Sequence, residues 1–375
     1  MPILYRNSRR FLSSFISKCN ERDMRAVPFS IVFLVPISVF LGYFLGVYFN
    51  QPFFNLISPV IIFVILPVID QLWGENKENP SESDEARLKN KLSFKIIVWA
   101  CAPVTVGTVL FGAWLIYVRS PSLLEFILFS ISMGISSGIM GINSSHEMQH
   151  RVNNKLEPLL ARITLSMVLY MHWAVEHVVG HHRTVATPDD PATAPLGQSY
   201  YRFWWRTIFG GIASAWRFEQ KRVAKKKNVK IHWIHNRVVK YTLIEIMILV
   251  IVLFVFGSMA LLYFLLQSIV AISLLEIINY VEHYGLLRNR LSENKYEPVN
   301  PIHSWNSSNR LTNYFLFNLQ RHSDHHYKPG RRYQLLRHFD ESPQLPTGYG
   351  GMVVLALVPP LFKRVIHKRI KKNIQ

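Results

Sequence analysis

A chain of 375 residues that is 50% hydrophobic and 13% aromatic, with a formal charge of +19, has room for one large domain or two small ones. Its basic excess borders long apolar runs, which favours a membrane-facing protein over a nucleic-acid binder. Its two cysteines, Cys19 and Cys101, exclude a disulfide framework and any iron–sulfur or rubredoxin-type centre, so redox chemistry here needs electrons from a separate partner.

Residues 1–26 are basic, and the apolar run FLSSFIS among them is too short for the core of a signal peptide. Val27 to Phe49 predicts a first membrane span and Pro52 to Ile69 a second, joined by a tight NQP hairpin. A polar loop follows from Asp70 to Asn90. Ser93 to Val118 and Leu123 to Ile142 predict a third and a fourth span. The fourth carries Gly134 and Gly138, a spacing that lets another helix pack closely. Ser144 to Tyr241 is polar and histidine-bearing apart from Pro158 to Val175, which suits burial in protein at the membrane surface. Tyr241 to Leu287 lacks Lys and Arg and is about twice one span. It predicts two helices, about 241–261 and 263–287, with a turn between Gly257 and Tyr263.

Glu245, Glu276 and Glu282 lie in that last apolar stretch, where a carboxylate is expected to pair with a cation, a metal site or its ligands. Met352 to Phe362 is too short to span and reads as interfacial. The whole is expected to be one all-α membrane domain over residues 1–375, a bundle of six transmembrane helices. The histidine-bearing segments 144–240 and 283–350 form its cap. Six spans put both termini on one side and leave Arg119 as the only one of 42 basic residues on the other. The positive-inside rule then makes the histidine-bearing side cytoplasmic, in an inner (plasma) membrane.

Nine of the 15 histidines fall in four groups on that side. HEMQH holds His146 and His150 one helical turn apart and also matches the zincin pattern, with Glu147 as its general base. EHVVGHH holds His177, His181 and His182 at spacings of four and five. NYVEHYG holds His283, and LQRHSDHH holds His322, His325 and His326, which share one side of a helix. A zinc hydrolase uses about three protein ligands. Nine imidazoles exceed that and suit two metals of four or five ligands each, although imidazole alone does not choose among Fe, Zn, Cu and Ni. Glu147, Glu176, Asp189, Asp190, Glu282 and Asp324 are candidates to accept the other ring N–H and fix each imidazole. Their alternative is ordinary surface charge. His172, His232, His235, His303, His338 and His367 are expected to pack or hydrogen-bond rather than ligate.

At these residues the chain resembles the integral-membrane alkane hydroxylases (alkane 1-monooxygenases), of the histidine-rich di-iron class that also holds membrane fatty-acid desaturases and xylene monooxygenases. DPATAPLG (Asp190 to Gly197), EPVNPIHSWNS (Glu297 to Ser307) and LPTGYGGMVVLALVPPL (Leu345 to Leu361) carry the likeness further. Met148 and Gln149 stand where that family has Leu-Gly, and Val178 and Val179 where it has polar residues. Neither departure removes a histidine. The resemblance implies two non-haem iron ions held by His146, His150, His177, His181, His182, His283, His322, His325 and His326. It implies oxidation of the terminal methyl of medium- to long-chain alkanes, drawn from the bilayer, by O2 and two electrons from rubredoxin with a separate reductase. The competing readings are a related di-iron enzyme acting on acyl chains or aromatic methyls, and a zinc protease built on HEMQH. The Lys221 to Lys230 run reads as a solvated face near anionic headgroups, with donor docking as the alternative.

Overall fold

The computed structural model describes residues 26–225, 233–293 and 295–374. The basic N-terminal segment, His232 and residues 226–230 of the Lys221 to Lys230 run lie outside the described residues. Among the described residues five helices are long and apolar enough to cross a membrane: α1 (Val27–Tyr48), α2 (Pro52–Trp73), α3 (Leu92–Arg119), α4 (Leu123–Gln149) and α7 (Arg237–His283). Between and after them stand α5 (Leu156–Ser166), α6 (Tyr200–Ala224), α8 (His322–Tyr327), α9 (Tyr349–Ala356) and α10 (Pro359–Ile374). The one departure from an all-helical chain among the described residues is a two-stranded antiparallel pair, β1 (Arg290–Ser292) and β2 (Lys295–Tyr296), with Arg290 opposite Tyr296. The chain is thus a mostly helical, multi-pass membrane protein.

α7 is two helices. Gly257 has φ +81°, a backbone state that glycine adopts freely. Met171 N donates to Glu245 at 2.7 Å and the adjacent Tyr170 hydroxyl donates to Glu276 at 2.9 Å. A straight helix would hold those two glutamates roughly 46 Å apart, so the chain reverses at Gly257. The turn falls at the start of the expected window. The first half exposes Leu243, Ile246, Met247, Val250 and Phe254, a face suited to hydrocarbon.

The second half lies against α4, where the small-residue spacing has its use. A Cβ on Gly134 would stand 2.5 Å from Val270 Cβ and 2.6 Å from Gln267 O. No side chain fits at position 134 between these helices. α4 also runs further than hydropathy suggests. It continues through a π-helical stretch, Ser137–Ile142, into Asn143–Gln149, so His146 is carried on the end of an apolar helix rather than in a loop.

The Asp70 to Asn90 segment is not a free loop. α2 extends to Trp73, and a short helix, Glu82–Leu88, is capped by Ser81, whose hydroxyl accepts from Asp84 N at 3.2 Å. Buried Asp70 accepts from Leu311 N at 2.8 Å and from the Thr312 hydroxyl. Arg321, also buried, donates to Leu336 O, Asn76 O and Glu78 O at 2.6, 2.8 and 3.1 Å. The segment therefore clasps the stretch leading into α8. α9 and α10 close the other side. Met352, Val353, Ala356, Phe362 and Ile366 are buried with Tyr280, Tyr284 and Trp305, while Val354, Leu357, Val358 and Leu361 stay exposed.

Candidate metal centre

Four pieces of chain bring the nine histidines together. α4 ends in His146, with His150 just beyond, and α7 ends in His283. α8 carries His322, His325 and His326. Glu176–His181 is a π-helix, and this local geometry explains the odd spacing of EHVVGHH. In an α-helix a residue five places on points well away from the first, whereas the i to i+5 winding brings the two into line. His177 and His182 accordingly meet, Nε2 to Nε2, at 3.1 Å.

The nine sort into two groups, within each of which all donor atoms lie within 4.8 Å of one another. The first is His146, His150, His177, His182 and His325; the second is His181, His283, His322 and His326. In the first, His150 and His177 approach at 3.0 Å and His325 and His182 at 3.0 Å, always through Nε2. In the second, His326 and His322 approach at 2.9 Å, His322 and His283 at 3.1 Å, and His181 and His326 at 3.3 Å. The groups abut: the His182 and His326 rings are 4.4 Å apart, centre to centre.

These distances test the site for metal. Nitrogens about 2.0–2.1 Å from one ion and at right angles around it are about 3.0 Å apart, which matches the observed edges. Convergent Nε2 atoms without carbonyls or hydroxyls between them are hard to account for by hydrogen bonding alone. Burial, with the neighbouring imidazoles adding to it, holds His150, His177, His182, His322, His325 and His326 well below the ordinary histidine range. The rings are therefore neutral near pH 7, the form that binds metal.

The acids distribute unevenly. Asp190, fully buried, accepts from His181 Nδ1 at 3.0 Å, from the Thr193 hydroxyl at 2.6 Å and from Ala192 N at 3.0 Å. Burial would raise its carboxyl, but His181 and Thr193 outweigh that and hold it below the ordinary value. Glu282 Oε2 lies 3.2 Å from His322 Nε2, on the donor side of the ring rather than behind it. Glu147 pairs with Arg151, and Asp324 pairs with Arg331 at 2.7 Å and accepts from Arg337 N at 2.8 Å. Glu176 is buried with Oε1 unpartnered among the described residues, and Asp189 is exposed. The Nδ1 atoms of His182, His283, His322 and His326 likewise find no partner there.

Among the other histidines, His303 Nδ1 accepts from Asn300 N at 3.1 Å and its Nε2 meets Glu297 at 3.0 Å. His338 meets Ser308 at 2.8 Å and His367 meets the Tyr284 hydroxyl at 2.8 Å. His172 packs edge-on against Tyr170, and His235 ends a short 3-10 turn, Trp233–His235. None of them joins either group. The expectation that Glu245 and Glu276 pair with a cation, a metal site or its ligands is corrected. Glu245 takes the Met171 backbone N–H, and Glu276 takes the Tyr170 and Thr207 hydroxyls and the Asn279 amide. Neutral donors within the bundle are enough to satisfy a buried carboxyl.

Which residues line a cavity in the bundle is not readable from the sequence. The cavity is lined by Ile62, Phe63 and Leu66 of α2, Ile139 of α4 and Leu274 of α7, and by His146, His177 and His322. Besides the histidines, its polar lining is Asn143, Asn279, Thr312, Glu282 and Tyr349, and the rest is mostly apolar. Residues on helices far apart in the chain form it, so no local pattern announces it.

A family model for the fatty acid desaturases matches residues 121–355, which include all nine histidines. The chain is 39% identical to alkane 1-monooxygenase 1 of Pseudomonas aeruginosa, over 90% of this chain and 89% of that protein. It is 36% identical to an alkane 1-monooxygenase of Acinetobacter baylyi, over 90% of this chain and 82% of the relative. A hydroxylase component of a xylene/toluene monooxygenase of Pseudomonas putida is more distant, 26% identical over 64% of this chain and 62% of that one. Two buried groups of imidazoles over an apolar bundle, and likeness of this extent, place the chain in the alkane 1-monooxygenase family of membrane enzymes, among the fatty acid desaturases.

Proposed function

We propose that this enzyme hydroxylates the terminal methyl of a medium- to long-chain linear alkane, with O2 and two electrons delivered by rubredoxin. The balance is R–CH3 + O2 + 2 e⁻ + 2 H⁺ → R–CH2OH + H2O. In this reading the nine histidines hold two non-haem irons, and bound iron supplies the activation of O2 and the oxidation of the C–H bond. One observation carries the proposal: an apolar cavity between the spans that ends on His146, His177 and His322.

An alkane has no polar handle, so the protein binds it by burial, at about 0.8 kcal/mol per methylene. In this reading a cavity lined by apolar side chains and by His146, His177 and His322 takes the chain with its terminal methyl toward the imidazoles. Ile139, Leu274 and Phe315 exclude water along the chain. No Lys or Arg is among the described residues lining the cavity, which favours an alkane over an acyl chain whose carboxylate would need a cation.

We read six crossings, with the histidines and both termini on the cytoplasmic side of the inner membrane; the reversal at Gly257 and the basic residues gathered at the histidine-bearing end support this. Cys101 is buried in α3, which is consistent with electrons coming from a separate protein.

The test is a product assay on membranes containing the protein, with O2, a rubredoxin and its reductase, and either a medium-chain alkane or a fatty acid. A primary alcohol from the alkane, absent in His326→Ala, is expected. A hydroxylated or unsaturated acid in its place would move the enzyme to acyl chains, and zinc in place of iron would defeat the di-iron reading.

A further inference from the structure

The two histidine groups differ in number, five imidazoles in one and four in the other. The surroundings of the smaller group hold a further donor. Glu282 precedes His283 at the end of α7 and is only 2% exposed. Its Oε2 lies 3.2 Å from His322 Nε2, the atom that also faces His283 at 3.1 Å and His326 at 2.9 Å. The carboxylate therefore points at the same side of the His322 ring as the other imidazoles of its group. Its second oxygen, Oε1, accepts from the buried Tyr349 hydroxyl at 2.6 Å. Tyr349 begins α9, so the carboxylate is gripped from an element remote in sequence.

Charge argues the same way. Two divalent ions on nine neutral imidazoles leave four positive charges in a buried site, which is costly without anions close by. Glu147 and Asp324 are taken up by Arg151 and Arg331. The two acids that reach the imidazoles, Asp190 on His181 and Glu282 on His322, both serve the four-histidine group. Asp190 meets His181 through Nδ1, from behind the ring, whereas Glu282 approaches His322 from the donor side. Glu282 also lines the apolar cavity beside His322, so it stands where the substrate ends.

We propose that Glu282 is a metal ligand: its Oε2 is the fifth donor of the four-histidine group, an anionic oxygen where the other group has its fifth imidazole, and Tyr349 holds it in place. The inference rests on the di-iron reading above. It makes the two irons chemically unequal, one bound by nitrogen alone and the other by nitrogen and a carboxylate. Oxygen is the harder donor and carries charge, so it favours the more highly charged state of its metal.

The experiment loads the full-length protein, in lipid nanodiscs under anaerobic conditions, with iron-57 as Fe(II). Iron is counted per chain and the Mössbauer spectrum recorded. The wild type is expected to hold two irons as two doublets of equal area. In Glu282→Gln one doublet moves, or is lost together with one iron, while the other stays in place. Release of one iron to a ferrous chelator quickens 10- to 100-fold, the range for a disturbed metal environment. Tyr349→Phe keeps both irons but quickens release of the same one. A Glu282→Gln protein with two irons and both doublets unmoved overturns the proposal. Should that variant hold no iron, Glu282→Asp is read by the same rule: one displaced doublet supports the assignment, and two unmoved doublets overturn it. A wild type that takes up fewer than two irons fails the di-iron reading instead, and the iron count separates that failure from this one.

Discussion

Replacing Asp190 with asparagine should weaken one metal site and leave the other intact. The carboxylate accepts three hydrogen bonds in a fully buried position: His181 Nδ1 and Thr193 Oγ1 on one oxygen, Ala192 N on the other. Asparagine has one acceptor oxygen and one donor group. With its oxygen toward His181 and Thr193, its amide faces the Ala192 N–H; flipped, it faces the His181 N–H. Either way a buried donor loses its acceptor, which costs about 1–3 kcal/mol. His181 also loses the anion that raises its basicity, and such losses reduce metal affinity 10- to 100-fold, or about 1.4–2.7 kcal/mol. His181 belongs to the four-histidine group, so the loss should fall there. The assay is titration of Fe(II) against a colorimetric chelator, with thermal unfolding of the metal-free protein alongside. Two affinities should separate in Asp190→Asn where the wild type holds both ions tightly. Thr193→Val, which removes a hydroxyl and no charge, should lower the unfolding temperature more than it lowers affinity. Affinities within twofold of wild type at both sites would refute the role given to this hydrogen bond.

Further outcomes follow from the packing. Gly134→Ala must push α4 from the second half of α7, because its Cβ would meet Val270 Cβ at 2.5 Å and the Gln267 carbonyl at 2.6 Å. A loss of about 1–3 kcal/mol is expected, read as a lower unfolding temperature in detergent, and an unchanged temperature would deny the close approach. Glu219 is bound by Arg222 at 2.7 Å and Arg237 at 2.6 Å, and although burial opposes it, these pairs lower its pKa from 4.5 to about 2. A depressed carboxyl stabilises the fold above its unfolded value and stops doing so as pH falls through the folded one. Glu219→Gln should therefore be less stable than wild type at pH 7, by about 1–3 kcal/mol, and the gap should shrink between pH 4.5 and 2. A gap constant over that range would contradict the ion triad. Arg321→Met leaves three carbonyls without their donor and should make the segment between α2 and α3 more sensitive to protease; unchanged cleavage would mean the clasp is held elsewhere.

Much of the site was legible because its chemistry is concentrated in one residue type. Histidine is uncommon, and four clusters at helix-turn spacings on one side of a bundle leave few uses other than metal. Sorting the nine into groups was not legible. Neighbours His181 and His182 go to different groups, and so do His325 and His326. That partition depends on a π-helical winding and on how α8 meets the ends of α4 and α7, neither of which leaves a mark on the local sequence. The fold shows the same division. Hydropathy finds the apolar helices but narrows the turn inside 47 residues only to a window from Gly257 to Tyr263, where the backbone of Gly257 decides. It also takes a polar segment for a loop, whereas Asp70, Arg321 and Arg337 tie that segment into the cap through contacts some 240 residues apart in sequence.

The acids mark the boundary of what pattern can reach. An acid beside a histidine in sequence reads as that histidine's partner, yet Glu147 and Asp324 turn to arginines, and Asp190 serves a histidine nine positions away. Helix geometry explains it, since successive side chains on a helix diverge by about 100° and adjacent residues rarely share a target. Glu282 and His283 are the exception, since both face His322 Nε2, at 3.2 and 3.1 Å. The two departures from the family pattern sort by the same reasoning. Val179, on the π-helix, is 39% exposed while its neighbours His177 and His181 are buried, so it faces outward. Met148 and Gln149 are buried between His146 and His150, and the Gln149 amide lacks a partner among the described residues. A variation that alters the five-histidine site therefore belongs at positions 148 and 149, and one that alters what meets the outer surface belongs at 179.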